Sequence, residues 1–149
     1  MIITFFGHSD FKENDEFEKI ILDLLEKKIG DNVAEIYLGG YGNFDAFAYK
    51  CCKKYKQNHS NVSLVFVTPY LNFENSNLMY DYVIYPEIED KPLRFAITYR
   101  NRYMVEKAEY IIFYLNREWG GAYQSYKYAK QKKKDLLNLA ELDLKNDCI

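Results

Sequence analysis

The chain has 149 residues, 48% hydrophobic and 28% charged, a balance that suits one globular domain with a real core and argues against disorder. A formal net charge of −2 and a pI near 5.7 argue against a general nucleic-acid or membrane-surface binder. Fifteen tyrosines and ten phenylalanines lift the aromatic share to 17%, material for a core, a pocket wall or an oligomer interface.

In chain order, Ile2 to Phe6 is a short apolar run of β-branched and aromatic residues, as in a strand covered on both faces, and it ends at Gly7. "MIITFF" lacks a basic flank and is too short for a signal segment, and no later apolar run approaches ~18 residues; a soluble chain without a membrane span is expected. Phe17, Ile20, Ile21, Leu24, Leu25 and Lys28 follow helical spacing up to a stop at Gly30. "VAEIYL" is a second strand, broken by "GGYGN". Phe44, Phe47, Ala48, Cys51 and Tyr55 then share one helical face, so at least one of the adjacent thiols Cys51 and Cys52 packs inward. With Cys148, three thiols and two histidines at unrelated spacings give neither a disulfide framework nor a zinc pattern, which predicts no metal and a reduced, cytoplasmic setting.

"VSLVFV" is a third buried strand, closed by Pro69. Residues 70–92 read as a long loop excursion with only "DYVIYP" as a possible short strand, and loops of such length are usually functional or mobile. "PLRFAITYRNRYMVEKA" is a helix with Pro92 at its start. "EYIIFYL" is the fourth full strand, "GGAYQSYKYAKQK" a further helical segment whose "KQKKK" run reads as a solvated end, and "KDLLNL" the last strand before a tail over 141–149. This alternation predicts one α/β domain over 1–149, a three-layer Rossmann-like sandwich with a mainly parallel five-stranded sheet flanked by helices. In such sheets ligands bind beyond the carboxyl ends of the strands, where strand order reverses.

Three glycine-bearing turns, "FGHSD", "LGGYGN" and "EWGGAY", follow strands and so open on that one edge. In the first, Gly7 permits a tight exit and brings His8, Ser9 and Asp10 to the edge, where they either cap local amides or contact a sugar or phosphate. In the second, Gly40 and Gly42 lead into a helix whose first turn holds Asp45; its exposed amides offer an anion site, or Asp45 simply caps the helix. The G-x-G-x-x-G dinucleotide spacing is absent. In the third, Gly120 and Gly121 let a phosphate approach helix amides while Trp119 walls a pocket or stacks on a base. In the helix 93–108, Leu93, Ile97, Met104 and Ala108 define an apolar stripe into which Arg100 falls, with Arg102 on the far side. A guanidinium there needs an anion or carbonyl: a phosphate, or an ion pair with Asp10 or Asp45. Arg94 is a second cationic candidate.

On "FFGHSDF", "GGYGNFDAF", "PLRFAITYRNRYM" and "EYIIFYLNREWGGAYQ", the chain resembles the SLOG superfamily, in particular a bacterial and phage branch with the pattern GHxD, GxxGxFD, PxRFAIxxRNxWM and WGGAxQ. The likeness runs to about Leu139, with Tyr103 where that pattern favours Trp. It implies a Rossmann-like fold, a homo-oligomer and a site for a nucleotide, a ribose phosphate or an ADP-ribose-like signal, with Ala122 and Gln124 joining the turn residues as ligand contacts and no separate cofactor. The related LOG phosphoribohydrolases carry an Arg, a Met four residues on, then PGGxGTxxE. Arg100 and Met104 match the first part and Gly120 and Gly121 the glycine pair, but Trp119 stands for Pro, Tyr123 for Gly, Gln124 for Thr and Lys127 for the catalytic Glu. A lysine opposes the positive charge that glycosidic cleavage develops, so LOG activity does not carry over directly.

Two functions follow. One is a sensing or sequestering module for a nucleotide-like molecule. The other is an N-glycosidic hydrolase or transferase on nucleoside monophosphates, LOG-like or deoxyribosyltransferase-like, with Asp10, Asp45 and Arg100 as catalytic candidates. A third reading, an oligomer with a vestigial cleft, requires the carboxyl edge to be filled by side chains.

Overall fold

The computed structural model describes residues 1–71 and 79–142. Its strands are β1 (Ile2–Gly7), β2 (Ala34–Leu38), β3 (Val62–Val67), β4 (Tyr82–Ile84), β5 (Tyr110–Tyr114) and β6 (Asp135–Asn138), and its α-helices are α1 (Asp15–Ile29), α2 (Gly42–Lys56), α3 (Ala96–Lys107) and α4 (Gly121–Gln131). All six strands pair in parallel, in the order β4-β3-β2-β1-β5-β6. The Rossmann-like α/β architecture is thus the expected one, with six strands rather than five. The extra strand is the short "YVI" within the 70–92 excursion, held at the sheet edge against Val65, Phe66 and Val67.

Helices α1 and α2 cover one face and α3 and α4 the other, giving three layers. On the first face Phe17, Ile21, Leu25 and Ile29 of α1 meet Phe44, Phe47, Ala48, Cys51 and Tyr55 of α2, all buried as the helical spacing predicts. Asn14 caps α1 by accepting from the Glu16 and Phe17 amides. Cys51 and Cys52 are both buried free thiols; Cys148 lies outside the described residues.

Two details of the second face depart from expectation. The segment after Pro92 begins as a 3₁₀ turn, Leu93–Phe95, before α3 starts at Ala96. The buried stripe of α3 is Ala96, Arg100, Met104 and Val105, while Leu93 and Ile97 are 76% and 40% exposed. The 3₁₀ turn puts Leu93 out of phase with the α3 stripe, while Ile97, already within α3, is exposed because it borders the cleft and the adjoining groove. Lys134, in the basic run, is not merely solvated: its ammonium donates to the Glu106 and Ala108 carbonyls at 2.8 and 3.0 Å and closes the end of α3.

Candidate functional site

The reversal of strand order lies between β1 and β5, and the turns after β1, β2 and β5 all leave the same edge of the sheet. Between them is a cleft of about 300 Å³. Of the residues singled out in the sequence, Gly7, His8, Ser9, Asp45, Arg100, Trp119, Gly120, Gly121 and Ala122 line it, joined by Gly39, Tyr41, Asn101 and Arg117. Asp10, Gly40, Gly42 and Arg94 do not, and Gln124 lines an adjoining groove instead. Arg94 is exposed and lies over the Phe95 ring.

The loop 116–120 is positioned from two sides. Asn138 at the end of β6 clamps Leu115, accepting from its amide at 2.9 Å and donating to its carbonyl at 3.0 Å. His8, 3% exposed, accepts the Asn116 amide at Nε2 over 3.1 Å. Burial first, then the Arg117 charge, lowers the His8 pKa against an opposing pull from Asp10, so the ring is neutral with its proton on Nδ1.

Arg117 is the cleft residue that sequence reading overlooked. Its Nη1 spans both Asp10 oxygens at 3.0 and 3.1 Å, its guanidinium carbon lies 4.1 Å from the Trp119 ring centroid, and its Nε is buried with no partner. Asp10 therefore serves Arg117, not Arg100, and the hydrogen bond from Arg117 holds its carboxyl below the usual value. An exposed, ion-paired carboxylate of that kind is a poor proton donor at neutral pH.

Arg100, 3% exposed, reaches from α3 across to the ends of β2 and β3. Its Nη1 donates to the Gly39 carbonyl at 3.0 Å and the Val67 carbonyl at 2.7 Å, and its Nε to Asn101 Oδ1 at 2.8 Å. Nη2 has no hydrogen bond to a described residue. A Cβ built on Gly39 would sit 3.2 Å from the guanidinium and 3.3 Å from Asp45 Oδ2, so both charges crowd that glycine without forming a direct ion pair.

The two candidate anion-binding helix ends, neither capped by a side chain, differ in charge and in occupied amides. At α2 the Asn43 amide donates to the Ser9 carbonyl at 3.0 Å, and Asp45 Oδ2 takes the Tyr41 amide at 2.9 Å. At α4 no side chain caps the helix and its first turn holds no acidic residue. The glycine of β1 has a packing reason: a Cβ on Gly7 would lie 2.2 Å from the Phe44 ring. Gly40 and Gly42, both at positive φ, shape the β2–α2 turn.

Asp45 is half-buried, and burial pushes its pKa from 3.8 up to about 6 despite the Tyr41 amide and the Arg100 charge. A carboxyl raised in the folded state keeps its proton after the unfolded chain has lost it, so it stabilises the fold below about pH 4 and this contribution is lost as pH rises through 6. Asp45→Asn should therefore raise the urea midpoint at pH 7.5, by at most about 3 kcal/mol in free energy, and match wild type below pH 4. A variant equally or less stable than wild type at pH 7.5 would mean that the carboxylate is well solvated.

These features define a doubly wound, all-parallel α/β domain with a cation-rich cleft at its switch point. Comparison of folds places the chain in the same class. It is similar to DNA processing protein A from Helicobacter pylori, described for its single-stranded DNA binding mode, with a TM-score of 0.62 at 17% identity, over 99% of this chain and 70% of that one. It is also similar to TM1055, a structural genomics target, with a TM-score of 0.59 at 14% identity, over 91% of this chain and 71% of that one. Identities this low establish the fold alone. No family model matches the chain, and no curated protein matches it significantly. Among the described residues no helix is long and apolar enough to cross a membrane, and no three His, Cys, Asp or Glu side chains gather into a metal-binding group.

Proposed function

We infer that the chain binds a nucleotide or nucleotide-derived molecule at the carboxyl edge of the sheet, with a phosphate against the first turn of α4. The observation that carries this reading is the convergence on one cleft of the uncapped α4 amides, the unpartnered Arg117 Nε and the Arg100 guanidinium, opposed among its lining residues by the single carboxylate of Asp45. Donors at a helix N-terminus and an arginine fork suit a phosphate's charge and oxygen geometry. Trp119, 63% exposed and stacked on Arg117, provides a face for a base or ribose. The SLOG resemblance of the four motifs agrees with this chemistry. The open cleft speaks against a vestigial site.

Calorimetric titration with AMP, ADP-ribose and adenosine tests it, alongside mass spectrometry of small molecules released from the purified chain. Arg117→Ala should weaken AMP binding about 10- to 100-fold, the worth of one charge-assisted contact, and weaken adenosine far less, through the loss of its support for Trp119. Equal losses for AMP and adenosine would remove the phosphate from this position. One observation favours a catalytic variant of the same reading: Asp45, with its raised pKa, lines the cleft and is suited to exchange a proton near neutrality. Free adenine released from AMP by wild type, and not by Asp45→Asn, would make the chain an N-glycosidic hydrolase; intact AMP would leave it a binding module.

A further inference from the structure

A second, larger groove of about 730 Å³ runs between α3 and α4 and shares Ile97, Asn101 and Gly121 with the cleft at the switch point. Small-molecule sites span roughly 300 to 1,000 Å³, so the cleft, at about 300 Å³, is of a size for one mononucleotide. The groove adds room that a mononucleotide does not need.

Its chemistry is not that of a bare helix seam. Tyr99 from α3 and Tyr128 from α4 line it with Arg102, whose guanidinium carbon lies 5.4 Å from the centroid of each ring. Glu106 accepts the Tyr128 hydroxyl and restrains that ring. Lys127 lies along the same groove, over the Tyr123 ring at 5.2 Å. Neither Arg102 nor Lys127 forms an ion pair with a described residue, and no carboxylate is among the residues lining the groove. Two cations held over aromatic faces, neither ion-paired with a described residue and with Glu106 already engaged by the Tyr128 hydroxyl, suit an anionic ligand that also carries a flat ring. The helical spacing of Gly121, Gln124, Ser125 and Tyr128 turns one face of α4 into a wall running from the phosphate end of the cleft into the groove.

We propose that the α3–α4 groove is a second subsite, and that the ligand is a dinucleotide: two nucleosides joined through phosphate, one seated in the cleft and the other in the groove beside Tyr99 and Tyr128, with Arg102 and Lys127 toward the bridging phosphate. This rests on the reading of the cleft as a nucleotide site. The same chemistry is offered by a free dinucleotide and by the end of a single nucleic-acid strand.

The test is calorimetric titration of the whole chain with AMP, the 5′-phosphorylated dinucleotide pApA, NAD, and the oligonucleotides pApApA and phosphorylated octaadenylate. The dinucleotides should bind at least about tenfold tighter than AMP, the ~1.4 kcal/mol within reach of one stacked base. The double variant Arg102→Ala/Lys127→Ala should erase that difference while leaving AMP affinity unchanged, and Tyr99→Leu should reduce it. An affinity that stops rising at two nucleotides assigns a free dinucleotide or strand end; one that keeps rising to the octamer overturns a two-part site in favour of a nucleic-acid track. Equal affinity for AMP and the dinucleotides, or equal losses for both in the double variant, would overturn the second subsite alone. Binding of neither would overturn the nucleotide reading of the cleft as well.

Discussion

Arg100→Ala is expected to destabilise the domain by about 2–6 kcal/mol, the cost of leaving buried carbonyl acceptors without their donor. The guanidinium stitches α3 to the carboxyl ends of β2 and β3 through the Gly39 and Val67 carbonyls. Removing it leaves two acceptors buried without donors, at about 1–3 kcal/mol each, and opens a void beside Met104, which is wholly buried. It also withdraws the positive charge that restrains the Asp45 pKa, so that carboxyl should titrate above its wild-type value of about 6. Arg100→Lys should recover part of the loss, because one ammonium reaches a carbonyl but cannot span the fork. Urea denaturation at pH 7 gives the stability, and carbon-detected NMR titration follows Asp45. A variant within about 0.5 kcal/mol of wild type, the range of an ordinary surface substitution, would show that water replaces Arg100 at both carbonyls. The fold would then not need the guanidinium, which would leave it free to serve a ligand. As the structure stands, Nη1 of Arg100 ties α3 to the strand ends and the residue also lines the cleft.

That placement explains what the sequence could and could not reveal. An arginine within an apolar stripe demands an acceptor, and spacing alone locates it; whether the acceptor is a carbonyl or a phosphate depends on strand ends more than thirty residues away. The stripe itself was only half legible, since Met104 and Ala108 are buried but Leu93 and Ile97 are not. For Leu93 a 3₁₀ turn changes the angular phase and leaves no periodic signal in three residues; Ile97 is in phase but borders a cleft that spacing cannot show. Strand β4 was readable only as a possibility: three residues between prolines make an edge strand by pairing with β3, a tertiary event. Arg117 was invisible for another reason. It sits in a loop, where no periodicity ranks residues, and its partner Asp10 is 107 positions away. The one local hint was its place two residues before Trp119, the spacing that lets the guanidinium fold onto the indole. By contrast, the three glycine turns could be assigned to one edge because parallel strands leave no choice about where their carboxyl ends lie.

The glycine pair Gly120 and Gly121 separates turn geometry from ligand access. Gly120 has φ 97° and ψ 174°, a backbone region essentially confined to glycine, so Gly120→Ala should cost about 1–3 kcal/mol through strain. Gly121 has no such excuse. It is the first residue of α4, its φ is not in the left-handed range, and a Cβ built on it meets nothing within 4 Å. Neither strain nor packing requires glycine there, and the residue lines both the cleft and the adjoining groove. What remains is the space beside its backbone, where a phosphate would lie against the helix amides. Gly121→Val should therefore leave the urea midpoint within about 0.5–1 kcal/mol of wild type, the helix-propensity scale, yet weaken AMP binding by at least about 100-fold, or ~2.7 kcal/mol. Gly121→Ala should fall between, since one methyl fills part of the space that an isopropyl group blocks. If Gly121→Val binds AMP as wild type does, the phosphate is not at α4. A stability loss as large as that of Gly120→Ala would instead place the role of Gly121 in the turn.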